Sequence, residues 1–518
     1  MGVIFLKNFS KVYSAQPALL NARSVDVEVD ISPGLHTFNI VGLPDKAVDE
    51  ARDRVSSAIK NSGFVSPKQK NHKIIVSLAP ADIRKTGPTF DLAIAVGYLK
   101  STKQIDFDSE KKLFVGELSL DGKLRPMNGI VPIMIFAKKA GFTEIFMPKS
   151  NAVEAGLVDK VKILGAESLD EVLMHLRGKK EIEVAAKTKT APGNLEVTTR
   201  WKNETEWGQI FGQEKAKRGL LIAAAGGHNI AFYGPPGTGK TMLANSLVGL
   251  LPTLDYEKII ECTSIHSILT ELPPFRSPHH TSSHTAIVGG GAYMKPGEIT
   301  LAHNGVLFLD EFPEFNRQVV ESLREPLERG SISISRAHEK ITLPSNFILV
   351  VAMNPCPCGY FETGIKPCVC TPHNINRYRK KISGPIVDRI DMWIEVSNVS
   401  FESLDSAEKS GANLKNGDDF MKVKSQVIAA REIQRLRFNS HKLNKEIPAK
   451  KIPEYCAMAT ETKNILKTSA ETLKLSMRGY HKIIKLARTI ADLDSKNRRG
   501  QIKKEHILEA LQYRPKIN

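Results

Sequence analysis
The sequence predicts an α/β protein built on a parallel sheet that carries a phosphate-gripping loop. A helical segment follows it and a separate strand-rich α+β block precedes it. Three observations predict this. "NIAFYGPPGTGKT" (229–241) is an apolar strand, a Gly-rich turn and the opening of a helix. "GVLFLDE" (305–311) is a second apolar strand that ends in two acids. "MRGYHKIIKLARTIADL" (477–493) places Tyr480, Ile483, Ile484, Ala487, Ile490 and Ala491 on one helical stripe.

The first of these fits G-x-x-x-x-G-K-[ST] in the strand–turn–helix setting that the motif requires. Gly234, Pro235, Pro236, Gly237, Thr238 and Gly239 form the turn. Its glycines let backbone N–H groups curl around a β-phosphate. Lys240 is placed to neutralise β/γ oxygens, and Thr241 to ligate Mg²⁺. The expected cofactors are therefore ATP and Mg²⁺. In the second motif, Asp310 suits the Mg²⁺ shell and Glu311 suits the base that orients the attacking water. A third apolar strand, "NFILVVAMN", ends in Asn354, placed to position that water near the γ-phosphate.

Around these motifs the chain of 518 residues is too long for one core. Residues 1–178 read as the first block. "SVDVEVDIS" alternates at period two, "HKIIVSLAP" and "TEIFMP" are further strands, and "DKAVDEARDRVSSAIKNSGF" is a helix with Val48, Ala51, Val55, Ala58 and Ile59 on one face. Residues 179–206 have the charged, aperiodic composition of a linker. The nucleotide core follows at 207–400, and a connector and helical lid at 401–518, with "SGANLKNGDDF" (410–420) expected to be flexible.

Lys and Arg total 73 against 56 for Asp and Glu, a formal charge of +17. That excess favours a polyanionic partner such as DNA. No apolar run of 18 residues exists, so no membrane partner is expected. The start lacks the long apolar segment of a signal peptide, which points to the cytoplasm. Of six cysteines, Cys356, Cys358, Cys368 and Cys370 crowd into fifteen residues as C-x-C-x₉-C-x-C. Four thiolates closing one short loop suit a structural Zn²⁺ site. His279, His280 and His284 lack the one-face spacing of a helical metal site.

Two segments interrupt the core. "ELPPFRSPHHTSSHTAIVGGGAYMKPGEIT" (271–300) is rich in Gly, Pro and His, and "ERGSISISRAHEKITLPSNF" (328–347) alternates around a polar tip as a β-hairpin does. Lys295 in the first, and Arg336, His338 and Lys340 at the tip of the second, are suited to gripping phosphates.

"GPPGTGKT", "GVLFLDE" and "MNPCPCG" together resemble the AAA+ family in its magnesium-chelatase-like, hairpin-carrying branch. The resemblance covers most of 207–518. It implies that Arg389, in "SGPIVDRID", is an arginine finger reaching a neighbour's ATP, and that Arg478 is the second sensor arginine of the lid. It also implies a homo-hexameric ring, and it assigns the two interrupting segments to the helix-2 insert and pre-sensor hairpin that line a pore.

"KTGPTFDLAIAVGYL" and "GELSLDGKLRPMNGIVPIMIFAKKAGFTEIFMPKSN" in the first block resemble the Lon protease domain. The nucleophile position holds Thr89, and the activating-lysine position holds Val131. Hydroxyl attack needs an adjacent base, so a degenerate, ring-forming block without protease activity is expected. The order of these blocks resembles the YifB/ComM family. That likeness implies an ATP-dependent hexameric DNA helicase that promotes branch migration in natural transformation. The alternative is a chelatase-type motor that remodels a protein partner, and a protease-like unfoldase is a third reading.

Overall fold
A computed structural model describes residues 8–18, 20–188, 207–291, 295–336, 339–398, 412–494 and 500–515. The chain divides into two compact units, residues 1–196 with 256–270, and residues 197–255 with 271–518. No helix among the described residues is long and apolar enough to cross a membrane.

The first unit is α+β. Its seven-stranded mixed sheet runs in the order Thr37–Val41, His72–Ala79, Asn21–Pro33, Phe9–Ala18, Lys112–Phe114, Glu144–Pro148, Lys162–Ala166. The long Phe9–Ala18 and Asn21–Pro33 strands pair antiparallel, and the last three strands run parallel. The alternation in "SVDVEVDIS" puts Val25, Val27, Val29 and Ile31 inside. The helix Asp91–Ser101 is buried along nearly its whole length. Its Gly97 lets it lie against the sheet, because a Cβ there would stand 3.0 Å from Val29 Cγ2.

At the N-terminus of that helix the buried Asp91 carboxylate accepts from Arg54 Nε at 2.7 Å and Nη2 at 3.0 Å. The expected single helix around Val48 is two, Lys46–Asp49 and Ala51–Asn61, with all five expected residues buried. Thr89 and Val131 are both buried as well.

The helix Tyr256–His266 belongs to this first unit, although its sequence falls inside the 207–400 stretch. Gly129 N donates to Ser267 Oγ at 3.2 Å, and Tyr256 Oη donates to the Leu157 carbonyl. Of the expected linker, residues 181–188 return to the first unit, where Ala185 N donates to Ile163 O at 2.9 Å. Residues 189–206 lie outside the described residues.

The second unit is a parallel α/β core with a helical lid. Its five-stranded sheet runs Phe275–Arg276, Val306–Leu309, Ile348–Met353, Ile230–Tyr233, Met392–Glu395, with every pairing parallel. Phe275–Arg276 corrects the sequence reading, which placed all of 271–300 in an interruption. Those two residues are an edge strand of the core sheet, held there by parallel pairing with Val306–Leu307.

The expected flexible connector at 410–420 is also corrected, because the helix Ala412–Phe438 runs through most of it. Phe420, Val427, Ala430 and Gln434 are buried on that helix. Once such a face nucleates a helix, propagation costs little and carries it back through an Asn- and Gly-containing stretch.

The apolar faces of sheet and lid merge into one core. Phe232, Phe308, Val350 and Ile394 share it with Ile483, Ile484, Ala487 and Ile490 of the lid helix Met477–Leu493. Tyr480, expected on the same stripe, is only half-buried at its edge.

Candidate nucleotide site
The strand Ile230–Tyr233 delivers the loop 234–239, and the helix Lys240–Leu250 leaves it. Gly234 is required by space, since a Cβ there would sit 2.1 Å from the Val396 carbonyl oxygen. Gly237 and Gly239 are required by conformation, at φ +79° and +82°, and a Cβ at either would meet nothing within 4 Å. The tip of the loop at Pro236 and Gly237 is exposed, and an 11-residue helix leads away from it. This is a cradle that suits a triphosphate.

Lys240 is buried, and its ammonium donates to Gly234 O at 2.9 Å, Pro235 O at 2.7 Å and Asn354 Oδ1 at 3.2 Å. Burial pulls its pKa below the usual lysine value, and Asp310 opposes that shift. Thr241 Oγ1 donates to Asp310 Oδ2 at 2.9 Å. Parallel pairing puts the ends of Val306–Leu309 and Ile348–Met353 beside the loop, so Asp310, Asn354, Lys240 and Thr241 converge from positions far apart in sequence. Their donor set fits Mg²⁺-ATP: Thr241 and Asp310 would hold the ion, and Lys240 the phosphates.

Glu311 sits at φ +49°, and its carboxylate lies 3.1 Å from Nδ1 of His280. The His280 ring packs on His279, with ring centroids 4.2 Å apart, and meets Phe315 edge-on. His280 of the first insert, one of three histidines that the sequence marked only as unsuited to metal, thus reaches the acidic pair. No local spacing signalled this.

Arg389 and Arg478 come together elsewhere. Both guanidinium groups pair with Glu328, Arg389 through Nη2 and Arg478 through its own Nη2 at 3.2 Å. Their position is the opposite end of the sheet from the loop. Asn229, just before the loop strand, donates from Nδ2 to Arg389 O at 3.1 Å, and Lys482 of the lid donates to Ile390 O at 2.8 Å. Glu328 was invisible to sequence reasoning, because nothing distinguishes it from any other surface acid at a helix end.

Asp391 anchors this end. Burial alone would raise its pKa, but His228, Lys482 and the Asn229 amide outweigh burial and hold the carboxyl down at about 2.

The four cysteines do converge. Cys356 Sγ lies 3.3 Å from Cys358 Sγ and 3.7 Å from Cys368 Sγ, and all four sulfurs lie within 4.8 Å of one another. Thiolates about 2.3 Å from a tetrahedral ion stand roughly 3.8 Å apart, so the donor set fits zinc. Among the described residues no other group of three or more His, Cys, Asp or Glu is close enough to share an ion.

The hairpin pairs Ser331–Arg336 with Glu339–Pro344 and buries Ile332, Ile334 and Leu343 at its base. Gly289 of the first insert packs on it, since a Cβ there would stand 2.9 Å from Ile334 Cδ1. Lys295 is exposed on that insert. His338 lies outside the described residues, and Arg336 and Lys340 are placed by backbone alone, at the last rungs of the ladder.

Family models match most of the chain. One described as magnesium chelatase, subunit ChlI, covers residues 206–404, and its C-terminal counterpart covers 417–514. One described as subunit ChlI of Mg-chelatase covers 27–151. The first block is therefore shared with proteins under that description, and it does not by itself separate a DNA motor from a chelatase motor.

Among relatives, the competence protein ComM of Haemophilus influenzae is 42% identical, over 98% of this chain and 97% of its own. The protein YifB of Escherichia coli is 41% identical, over 98% and 97%. The DNA replication licensing factor mcm2 of Xenopus tropicalis is 26% identical over 35% of this chain and 20% of its own. With loop, acidic pair, Asn354 and lid arranged as above, and with near-full-length identity of this size, the chain belongs to the YifB/ComM family of magnesium-chelatase-like AAA+ proteins.

Proposed function
We propose that this protein is an ATPase whose turnover drives a hexameric ring along DNA, promoting branch migration of recombination intermediates as in natural transformation. The observation that carries the ATPase is the convergence of Lys240, Asn354, Thr241 and Asp310 at the phosphate loop. In this reading, Mg²⁺ held there would supply neutralisation of the charge that develops on the phosphates. Lys240 would exchange its carbonyl partners for phosphate oxygens, Thr241 and Asp310 would hold the ion, Glu311 would orient water, and Asn354 would position it. Arg389 and Arg478 serve the next subunit's nucleotide. Zinc in the Cys356–Cys370 loop is structural. The first unit does not cleave protein, because Val131 supplies no base for the buried Thr89.

DNA as the track is supported by the charge of +17 and by the hairpin and insert packed together, with Lys295, Arg336, His338 and Lys340 as its contacts. The relatives described as a competence protein and as a DNA replication licensing factor point the same way. The chelatase description of the family models favours the second reading, a motor that remodels a protein partner.

Steady-state ATPase with single-stranded and four-way-junction DNA separates the two. Under the DNA reading, both DNAs raise the rate and added salt abolishes the rise. Arg336→Ala with Lys340→Ala keeps basal hydrolysis and loses the stimulation. A flat response to both DNAs sinks the DNA reading and leaves the ATPase standing.

A further inference from the structure
The cysteine loop begins two residues after Asn354, and its first turn leans on the nucleotide loop. Gly359, the residue after Cys358, adopts φ +86°. A Cβ built there would stand 2.7 Å from Cδ and 3.2 Å from Cγ of Pro236, and 3.9 Å from Cγ of Asn354. Pro236 is the crest of the phosphate loop, and Asn354 is the side chain that receives Lys240. The turn therefore leaves no room for a side chain between itself and Pro236, and a side chain at 359 would also meet Asn354.

The turn is tied to the cluster at both ends. Gly359 N donates to Cys356 O at 3.0 Å, and Phe361 N donates to Cys356 Sγ at 3.3 Å. Cys358 Sγ lies 3.5 Å from Cys368 Sγ, on the far arm of the loop. The aromatic pair that follows is covered from the same neighbourhood, with Lys366 over Tyr360 at 5.5 Å and Arg379 over Phe361 at 5.2 Å.

We propose that the metal held by Cys356, Cys358, Cys368 and Cys370 is a brace for ATP binding. By closing its loop, it fixes the 356–361 turn and presses Gly359 against Pro236, which presets the phosphate loop and the Asn354–Lys240 contact. The proposal rests on the reading of these cysteines as a zinc site and deepens it. Without the ion, the fifteen-residue loop regains its freedom and the turn no longer has a fixed place. The nucleotide must then order the phosphate loop at its own expense, which weakens affinity without removing a single phosphate contact.

Gly359 and Gly364 separate the brace from mere loop strain. Both lie between the cysteine pairs at positive φ, +86° and +69°, so alanine strains the backbone at either. Only Gly359 touches Pro236, since a Cβ at Gly364 would meet nothing within 4 Å.

The test uses the full chain, with zinc counted by elemental mass spectrometry and affinity measured with a fluorescent ATP analogue. The wild type carries one zinc. Cys358→Ser with Cys370→Ser loses the zinc and binds the analogue on the order of 10-fold more weakly, with the melting of the first unit unchanged. Gly359→Ala keeps its zinc and shows the same weakening, whereas Gly364→Ala keeps both zinc and affinity. A wild type without metal overturns the zinc reading. Zinc present, with wild-type affinity in Gly359→Ala, overturns the brace alone. Equal weakening in Gly364→Ala also overturns it, by assigning the effect to strain. Zinc lost with wild-type affinity in the double-cysteine variant overturns the brace. Should that variant fail to fold, stripping zinc from the wild type with a chelator decides the matter, with the same weakening expected.

Discussion

Arg389 offers the sharpest test of assembly, because its place in the fold forbids it from serving its own nucleotide. Its carbonyl is bonded to Asn229 at one end of the strand Ile230–Tyr233, and the phosphate loop begins at the other. Four strand residues at about 3.3 Å each separate the two by roughly 13 Å. The side chain does not bridge that gap. It folds back to its own Pro385 carbonyl at 2.7 Å and pairs with Glu328.

Arg389→Ala should therefore cost about 10³-fold or more in kcat while leaving nucleotide affinity intact. Lys240→Ala should abolish binding but leave a working finger. Neither variant turns over alone. Mixed in equal amounts, a site is competent when an Arg389→Ala subunit supplies the loop and a Lys240→Ala subunit supplies the finger. Random neighbours meet that condition at about one interface in four, so the mixture should recover about a quarter of wild-type ATPase if interfaces act independently. The assay is phosphate release from chains denatured and refolded together, against each variant treated alone. A mixture as inactive as its components, with subunit exchange verified by a fluorescent label, refutes the trans geometry.

Three further outcomes follow from the same geometry. Arg478→Ala should be rescued by Lys240→Ala in the same mixing assay, because Arg478 shares Glu328 with Arg389; rescue of one without the other would separate their roles. His280→Ala should lower kcat about 10-fold at unchanged KM for ATP, since it removes the partner 3.1 Å from Glu311 and no phosphate contact; an unchanged kcat assigns His280 to packing.

Asp391 gives a pH signature. Its carboxyl is held at about 2 against 3.8, so the stability that it contributes is complete above about pH 4 and is lost as pH falls through 2. Asp391→Asn should therefore cost about 2 kcal/mol at neutral pH, and its melting temperature should approach the wild type's as the buffer is taken from pH 4 to pH 2. A constant gap across that range would refute the assignment.

Much of the site was legible in the sequence because its chemistry is local. A strand that ends in Gly234 and a helix that starts at Lys240 need only neighbouring residues to make a phosphate cradle. An apolar strand that ends at Asp310 announces its acids by contrast, and four cysteines in fifteen residues need only a short loop to meet. The alternation at Val25–Ile31 and the stripe at Ile483–Ala491 are periodicities, and burial followed them. Composition misled at 410–420, where a polar run was carried into a helix by the buried face that follows it.

What tertiary structure alone decided are relations between residues that share no local pattern. Strand order put Ile348–Met353 between the other two motif strands, and so brought Asn354 to Lys240 and Asp310 to Thr241. It also made Phe275–Arg276 a sheet edge, sent Tyr256–His266 to the first unit, joined Arg389 to Arg478 through Glu328, set His280 on Glu311 and laid Gly359 on Pro236. The physical reason is that a motif records what a residue can do, through propensity and charge over a few neighbours. Which distant side chain it meets depends on how the apolar faces of many elements are buried at once.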